Sequence, residues 1–445
     1  MESFDALISS LASFVWGAPV LLLLVGTGVY LTIRLKGMQF RVLPHAFKMV
    51  LSKEQAADGD ISHFAALMTA LAATVGIGNI IGVATAISLG GPGAVFWMWV
   101  IGLIGMATKY SEALLAVKFR QKGPDGMRGG PMYYISYGAK LPWLGIAFAV
   151  FTAVAAFGIG NMTQSNAVAG ALASGFEIPH ALSGIVMLLL SALVILGGIR
   201  SIARFTSWLV PFMIVLYLGT GLTIIFGNLD KVGEALWLII YHAVNPIAAG
   251  GGFAGATVAA AIRYGVARGV FSNESGLGSS PIAAAAAKTN SPVRQALVSM
   301  TQTFIDTLVV CTITALIILM APQWQSGVDA GILTIESFRH FLGSFGAYIV
   351  MLATVLFAYS TILGWSYYGE KAVEFLAGER AIRYFRIIFV GAVFVGAVLE
   401  LKLVWNISDL FNGLMIIPNL IGLLLLSGVV VNETQKYFKK REAGS

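Results

Sequence analysis

The amino-acid sequence predicts an all-α polytopic membrane protein with about 11 transmembrane helices. Three observations carry that expectation. Of the 445 residues, 58% are hydrophobic and 11% charged, and the mean hydropathy is +0.84. A soluble domain carries about 25% charged residues, so this chain could not cover its own surface in water. Apolar stretches long enough to cross a bilayer core of about 30 Å recur along the whole chain. The basic residues, finally, collect in alternate connecting segments.

Windows of about 19 residues place the spans at 13–35, 62–90, 91–118, 142–173, 179–197, 203–227, 233–262, 293–321, 342–368, 384–401 and 406–431. The first follows an acidic N-terminus without a basic run, so it reads as a retained helix and not a cleaved signal. The seventh has the weakest boundaries. Segments 34–60, 118–140, 200–204, 263–294, 371–386 and 436–441 hold 24 of the 28 Lys/Arg. Basic loops stay cytoplasmic, which puts the N-terminus outside and the C-terminus in the cytoplasm of a cell that keeps this chain in its (inner) membrane. The whole chain reads as one transmembrane domain. It comprises an extra N-terminal helix with a cytoplasmic linker (13–61), a first repeat (62–227), a second repeat (231–431) and a cytoplasmic tail (432–445).

Several function classes fall away. The net charge of +7 sorts to one side of a bilayer, so it is no nucleic-acid patch. Cys311 is the single cysteine, which excludes an intrachain disulfide and a Cys-based metal site. A membrane-embedded hydrolase needs paired acids, or Ser with His, within the spans. Instead the five histidines, His45, His63, His180, His242 and His340, are dispersed. Neither an enzyme nor an organic cofactor is expected.

Glycine interrupts two of the apolar spans. Gly76-Ile77-Gly78-Asn79 lies near the middle of the second, and Gly250 to Gly255 lies in the seventh, after Asn245-Pro246. Glycine in a helix interior costs about 0.5–1 kcal/mol relative to alanine. Unwound backbone at membrane depth survives where it lines a cavity or is buried in protein. Two interrupted spans five helices apart are the trace of an inverted-repeat transporter, whose half-helix ends hold anionic groups and cations. Gly82, Gly102 and Gly105 read instead as close-packing positions.

Longer motifs resemble one family. The run Gly90-Gly91-Pro92-Gly93-Ala94-Val95-Phe96-Trp97-Met98-Trp99, continuing to Gly105, looks like the signature of the sodium:alanine (alanine-or-glycine:cation) symporters. Thr74 to Gly82, Gly129 to Tyr134, and Gly265 to Lys288 are similar to the same family. The likeness runs from about residue 10 to 435. It implies a LeuT-type fold of 5+5 inverted repeats preceded by one added helix, and sodium-coupled uptake of alanine and glycine.

The resemblance also implies a site. Asn79 would ligate sodium through its amide oxygen beside the Thr74 carbonyl, and Gly76 and Gly78 would offer N–H groups to a substrate carboxylate. Carbonyls near Ala72 and Val75 would face a second sodium position, completed by Ala358 and Thr361. Trp365, one turn after Thr361, and Gly252-Phe253 in the second glycine run would wall the pocket. Among Asn161, Gln164, Ser165 and Asn166, one amide is expected to meet the amino acid, with Asn166 slightly preferred over Gln164. Asp306 is a membrane carboxylate and a functional candidate on that ground. Lys109 and Glu112 read as a structural pair, and Ser272 to Gly276 as an inner-gate loop unless the seventh span breaks there, which would make Ser272 and Ser275 pocket residues. The expected partners are a small neutral amino acid, sodium as the coupling ion, and the lipid bilayer. A proton-coupled or broader-specificity amino-acid transporter is the alternative.

Overall fold

Helices, most of them apolar, account for most of the described chain. The computed structural model describes residues 2–52, 57–124, 126–248, 253, 255–399 and 402–442. Helices α1 (Glu2–Val15) and α2 (Ala18–Arg34) adjoin at Gly17. Lys36 and Gly37, both at positive φ, then turn the chain into α3 (Met38–Val50). Ser62 caps α4 (His63–Thr74) by accepting the Ala65 N–H at 3.1 Å. A short irregular stretch separates α4 from α5 (Ile81–Gly90), which leads into α6 (Gly93–Lys118). A small hairpin, Gln121–Gly123 against Gly126–Arg128, precedes the single turn α7 (Pro131–Tyr133).

Helices α8 (Pro142–Phe157) and α9 (Thr163–Phe176) are joined through a π-helical turn at Gly158–Met162. Next come α10 (His180–Ile195), α11 (Gly198–Gly227) and α12 (Leu229–His242). Helix α13 (Val258–Asn273) and the short α14 (Pro281–Ala285) flank a second irregular stretch. Then α15 (Pro292–Thr303) and α16 (Thr312–Met320) run through a π-helical segment, Phe304–Cys311. The helical stretch α17 (Ala330–Ala377) is two helices meeting at Gly343, whose φ of 60° and ψ of −149° suit glycine. The chain closes with α18 (Arg380–Val398), α19 (Lys402–Leu425) and α20 (Ser427–Glu442).

Among the described residues, eight helices are long and apolar enough to cross a membrane, with α4, α5 and α10 as shorter apolar helices. Helix α6 sits at the centre, with α13 and α15 packed on it, while α17 touches α4, α8, α9 and α11. Small residues let these backbones close in. A Cβ on Gly102 would lie 3.1 Å from Thr307, and one on Gly105 would lie 3.0 Å from Ser275, so both are packing glycines. Gly82 has open space around it.

The seventh span differs from the expectation. Residues 233–262 do not form one helix, because α12 ends at His242, where the Asn245 amide donates to the Tyr241 carbonyl, and α13 starts only at Val258. The interruption that matters lies later, at Glu274–Ser280. Gly276 and Gly278 adopt φ of +92° and +81° there, and Glu274 is left-handed at φ +58°. Arg263 and Arg268 therefore belong to the half-helix before this break and not to a loop shared with Lys288.

Candidate functional site

The first break follows from its glycine. Helix α4 stops at Thr74, Val75 takes ψ of 83°, and Gly76 is extended at φ −128° and ψ −157°. A Cβ on Gly76 would stand 2.5 Å from the Thr361 hydroxyl, so only glycine lets the break lie against α17. Asn79 then stabilises the turn itself, its Oδ1 accepting the Gly76 N–H at 3.0 Å. Its Nδ2 donates to the Asp306 carboxylate at 2.8 Å. Ser272 Oγ and Thr307 Oγ1 also donate to Asp306, at 2.8 and 2.9 Å. Asn79, Ser272 and Asp306 are wholly buried, so one carboxylate gathers three donors from three segments.

A second oxygen cluster joins α4 to α17. Ser360 Oγ donates to the Ala72 carbonyl at 3.1 Å and to the Phe357 carbonyl at 2.8 Å. Thr361 Oγ1 donates to the same Phe357 carbonyl at 2.9 Å. The Ala72 carbonyl is thus met by Ser360, and Ser360 and Thr361 share the Phe357 carbonyl, the residue before the expected Ala358. The Thr74 hydroxyl turns back onto its own helix, to Ala70 and Leu71, and accepts from Gln302 at 3.2 Å.

Lys109 braces the second break. Its ammonium donates to the Glu274 carbonyl at 2.9 Å and to Ser280 Oγ at 2.5 Å, and it stands 3.5 Å from Glu112. Glu112 accepts the Gly276 N–H at 3.0 Å and the Asn419 amide at 2.7 Å. Lys109 and Glu112 are a buried pair, and they sit at the second break. An ion pair at such depth needs this full set of hydrogen bonds to persist.

Between the two breaks lies an enclosed cavity of about 20 Å³, lined by Gly76, Gly78, Gln164, Phe271, Glu274, Thr361, Trp365 and Asn412 among others. That is room for one or two waters, so a ligand requires the walls to part. Gln164 Oε1 and Asn412 Oδ1 are buried here without a hydrogen-bond partner among the described residues. Orphaned acceptors cost about 1–3 kcal/mol each, and both suit an ammonium donor. Trp365 is the cavity's aromatic wall, and Glu274 lines the same space.

Other expected members lie elsewhere. Asn166 donates to the Gly396 and Leu399 carbonyls, at 3.2 and 3.1 Å, and so faces α18 in place of the cavity. Phe253 packs edge-on against Trp324, with ring centroids 5.6 Å apart, not beside Trp365. Gly252 lies outside the described residues. Glu274, Phe271 and Asn412 were missed as cavity residues. The Ser272–Gly276 motif was the signal for Glu274 and Phe271, and only the fold brings Asn412 from the other end of the chain.

Two interrupted helices, facing oxygen clusters and a closed central cavity define a secondary transporter. The solved structure of MhsT in complex with L-phenylalanine has the same fold. Its TM-score is 0.55 at 12% identity, over 84% of this chain and 98% of that one. The chain belongs to the sodium:alanine symporter family, whose family model matches residues 1–445. It is 54% identical over 455 residues to the sodium/alanine symporter AgcS of Methanococcus maripaludis, covering 99% of each. A Haemophilus influenzae protein called an uncharacterized transporter is 51% identical over 442 residues, covering 98% of this chain and 97% of that one.

Proposed function

We propose that this protein imports small neutral amino acids, alanine above all, by coupling them to sodium through alternating access across the cell membrane. The supporting observation is the pair of breaks that face one closed cavity, each beside a buried oxygen cluster. Sodium is the cargo that completes these clusters. One position is served by Asn79, Ser272 and Asp306 with the Thr74 carbonyl. The other is served by Ala72, Val75, Phe357, Ser360 and Thr361, whose hard oxygens suit an alkali cation.

The amino acid lies between them. Its carboxylate meets the Gly76 and Gly78 backbone, and its ammonium meets Gln164, Asn412 and Glu274. Trp365 limits the side chain, so Trp365→Ala should admit larger substrates. Filling the cation positions pulls the two breaks toward a shape that holds the amino acid, and rocking of the repeats then moves the site from one face to the other. We read eleven crossings, with the N-terminus outside and the C-terminal tail in the cytoplasm. Moving Arg263 and Arg268 away from the basic side weakens that asymmetry without reversing it.

Uptake of labelled alanine into proteoliposomes tests the reading, with an inward sodium gradient set against choline. Accumulation only with sodium is the expected result. Equal uptake in both would replace sodium by protons or remove the coupling.

A further inference from the structure

A groove of about 370 Å³ opens where the N-terminal helices meet the C-terminal one. The elbow between α2 and α3 forms one wall with Arg34, Lys36 and Arg41, and α20 forms the other with Phe438 and Lys439. Met38 and Val42 add apolar surface between the charges. The Tyr30 and Ser427 hydroxyls, hydrogen-bonded at 3.1 Å, tie α2 to the start of α20.

Four cations border this groove against one carboxylate, Glu442. Among the described residues, none of the four forms an ion pair with an acid. Arg34 donates to the Tyr30 hydroxyl at 3.1 Å and Arg41 to the Lys36 carbonyl at 3.2 Å. Neutral partners aim both guanidinium groups and leave their charges uncompensated. Glu433 of α20 is taken by Lys118 at 3.1 Å. The positive field reaches the next turn of α3, where burial first, and then the charges of Arg441, Lys48 and Arg294, hold the His45 imidazole below its ordinary pKa. Like charges gathered around one groove repel each other, so the cluster favours an anion. Hydrocarbon-facing surface leads into it. Leu22, Val29 and Ile33 are exposed on α2, and their spacings of seven and four residues put them on one face. That stripe ends beside Arg34, and Phe40 is exposed on α3 just past the elbow.

We propose that this groove binds an anionic phospholipid, its phosphate held by Arg34, Lys36, Arg41 and Lys439 and its acyl chains lying along the exposed stripe of α2. A soluble phosphate would use the cations alone, whereas the stripe that runs into them matches a tail. Guanidinium groups suit phosphate because they offer it two parallel hydrogen bonds. Each basic residue beside an anionic headgroup adds roughly fivefold in affinity. The site needs α2 to cross the bilayer and does not depend on what is transported. Its occupant fastens α20 to the α2–α3 elbow. Thr434 of the groove wall is hydrogen-bonded to Tyr110 at 2.8 Å, the neighbour of the Lys109 that braces the second break. The lipid is therefore linked through α20 and α6 to the central site.

Native mass spectrometry of the full-length protein, in detergent with equal amounts of phosphatidylglycerol and phosphatidylcholine, tests the site. Phosphatidylglycerol should be retained at least fivefold more often. Glycerol 3-phosphate in tenfold excess should leave that retention unchanged; displacement would make the groove a site for a soluble phosphate and overturn the lipid. Arg34→Gln combined with Arg41→Gln should cut phosphatidylglycerol retention at least tenfold and leave phosphatidylcholine as it was. Val42→Trp keeps every charge and fills the groove, and it should cut retention at least fivefold. Arg200→Gln with Arg204→Gln removes two exposed charges from α11 and should change nothing. Equal retention of the two lipids by the parent, parent-level retention in either groove variant, or an equal loss in the α11 variant overturns the site. Hydrogen exchange across α20 should slow at least threefold when phosphatidylglycerol is added. Unchanged exchange with the lipid retained overturns the fastening alone. None of these measurements involves uptake, so the site and the symport reading fail separately.

Discussion

Ser360 Oγ donates to the Ala72 carbonyl across 3.1 Å, joining the last turn of α4 to the middle of α17. The carbonyl belongs to the turn that ends at the first break, and the hydroxyl belongs to a buried stretch of α17. An ion entering between them would replace this hydrogen bond with two oxygen contacts and keep the helices together.

Ser360→Ala should therefore raise the sodium concentration for half-maximal uptake at least tenfold, equivalent to about 1.4 kcal/mol. Maximal uptake and protein abundance should change little. Ala358→Gly, one helical step off the cluster, should leave the sodium dependence within threefold. Sodium titrations of alanine uptake separate the two.

Asp306 is the acceptor for Asn79, Ser272 and Thr307 together. Asp306→Asn keeps the shape but removes the charge and turns one acceptor into a donor. Sodium-driven uptake should fall at least thirtyfold, with the loss lying in sodium affinity. If uptake in Asp306→Asn keeps the parent's sodium curve, the carboxylate is structural.

Gly76→Ala places a methyl group 2.5 Å from the Thr361 hydroxyl. Uptake should drop a hundredfold or more. Gly82→Ala, with nothing within 4 Å of its Cβ, should retain uptake within twofold and serves as the matched control. Both are read from initial rates at saturating sodium.

Gln164 and Asn166 should part company. Gln164→Leu removes an orphaned acceptor from the cavity and should raise the alanine concentration for half-maximal uptake at least tenfold. Asn166→Leu loses two hydrogen bonds to the end of α18 and should lower thermal stability while leaving that concentration unchanged. Uptake kinetics alongside thermal unfolding in detergent resolve them.

Lys109→Met leaves Glu112 buried beside an empty partner position. Removing one member of a buried pair costs about 3–5 kcal/mol, so the unfolding midpoint should fall sharply. Lys109→Met with Glu112→Gln should recover part of that fall, because the second change removes the stranded charge.

The helices were legible because lipid-facing and core-facing residues alike are apolar, so window hydropathy finds them. The first break was legible too, since Gly76, Gly78 and Asn79 lie together in an otherwise apolar run. The second was not. Gly250 to Gly255 is denser in glycine than Glu274 to Ser280, but glycine density reports backbone freedom and not depth. What identifies Glu274–Ser280 is Lys109, which satisfies the Glu274 carbonyl from a residue 165 positions away, and local pattern cannot register that. The hydroxyls of α17 bond to the Phe357 carbonyl and not to the Ala358 carbonyl for a related reason. A four-residue spacing sets the helix face only to within a step, and the partner carbonyl at Ala72 settles which step is used. Asn166 and Gln164 differ by two positions on one helix, and the π-helical turn before them decides which one faces inward.

That turn, at Gly158–Met162, and its counterpart at Phe304–Cys311 each wind the chain more loosely than the α-helix around them. A π turn can be passed along a helix while its backbone ladder stays closed, and each step swings the side chains it crosses by about 100°. Gln164 follows one turn by two residues, and Asp306 lies inside the other. The helix that aims Gln164 at the cavity and the helix that carries Asp306 to its three donors thus each hold a stored register slip. They can swivel their polar groups while their axes stay still, and the cavity can change its chemistry without first changing its outline.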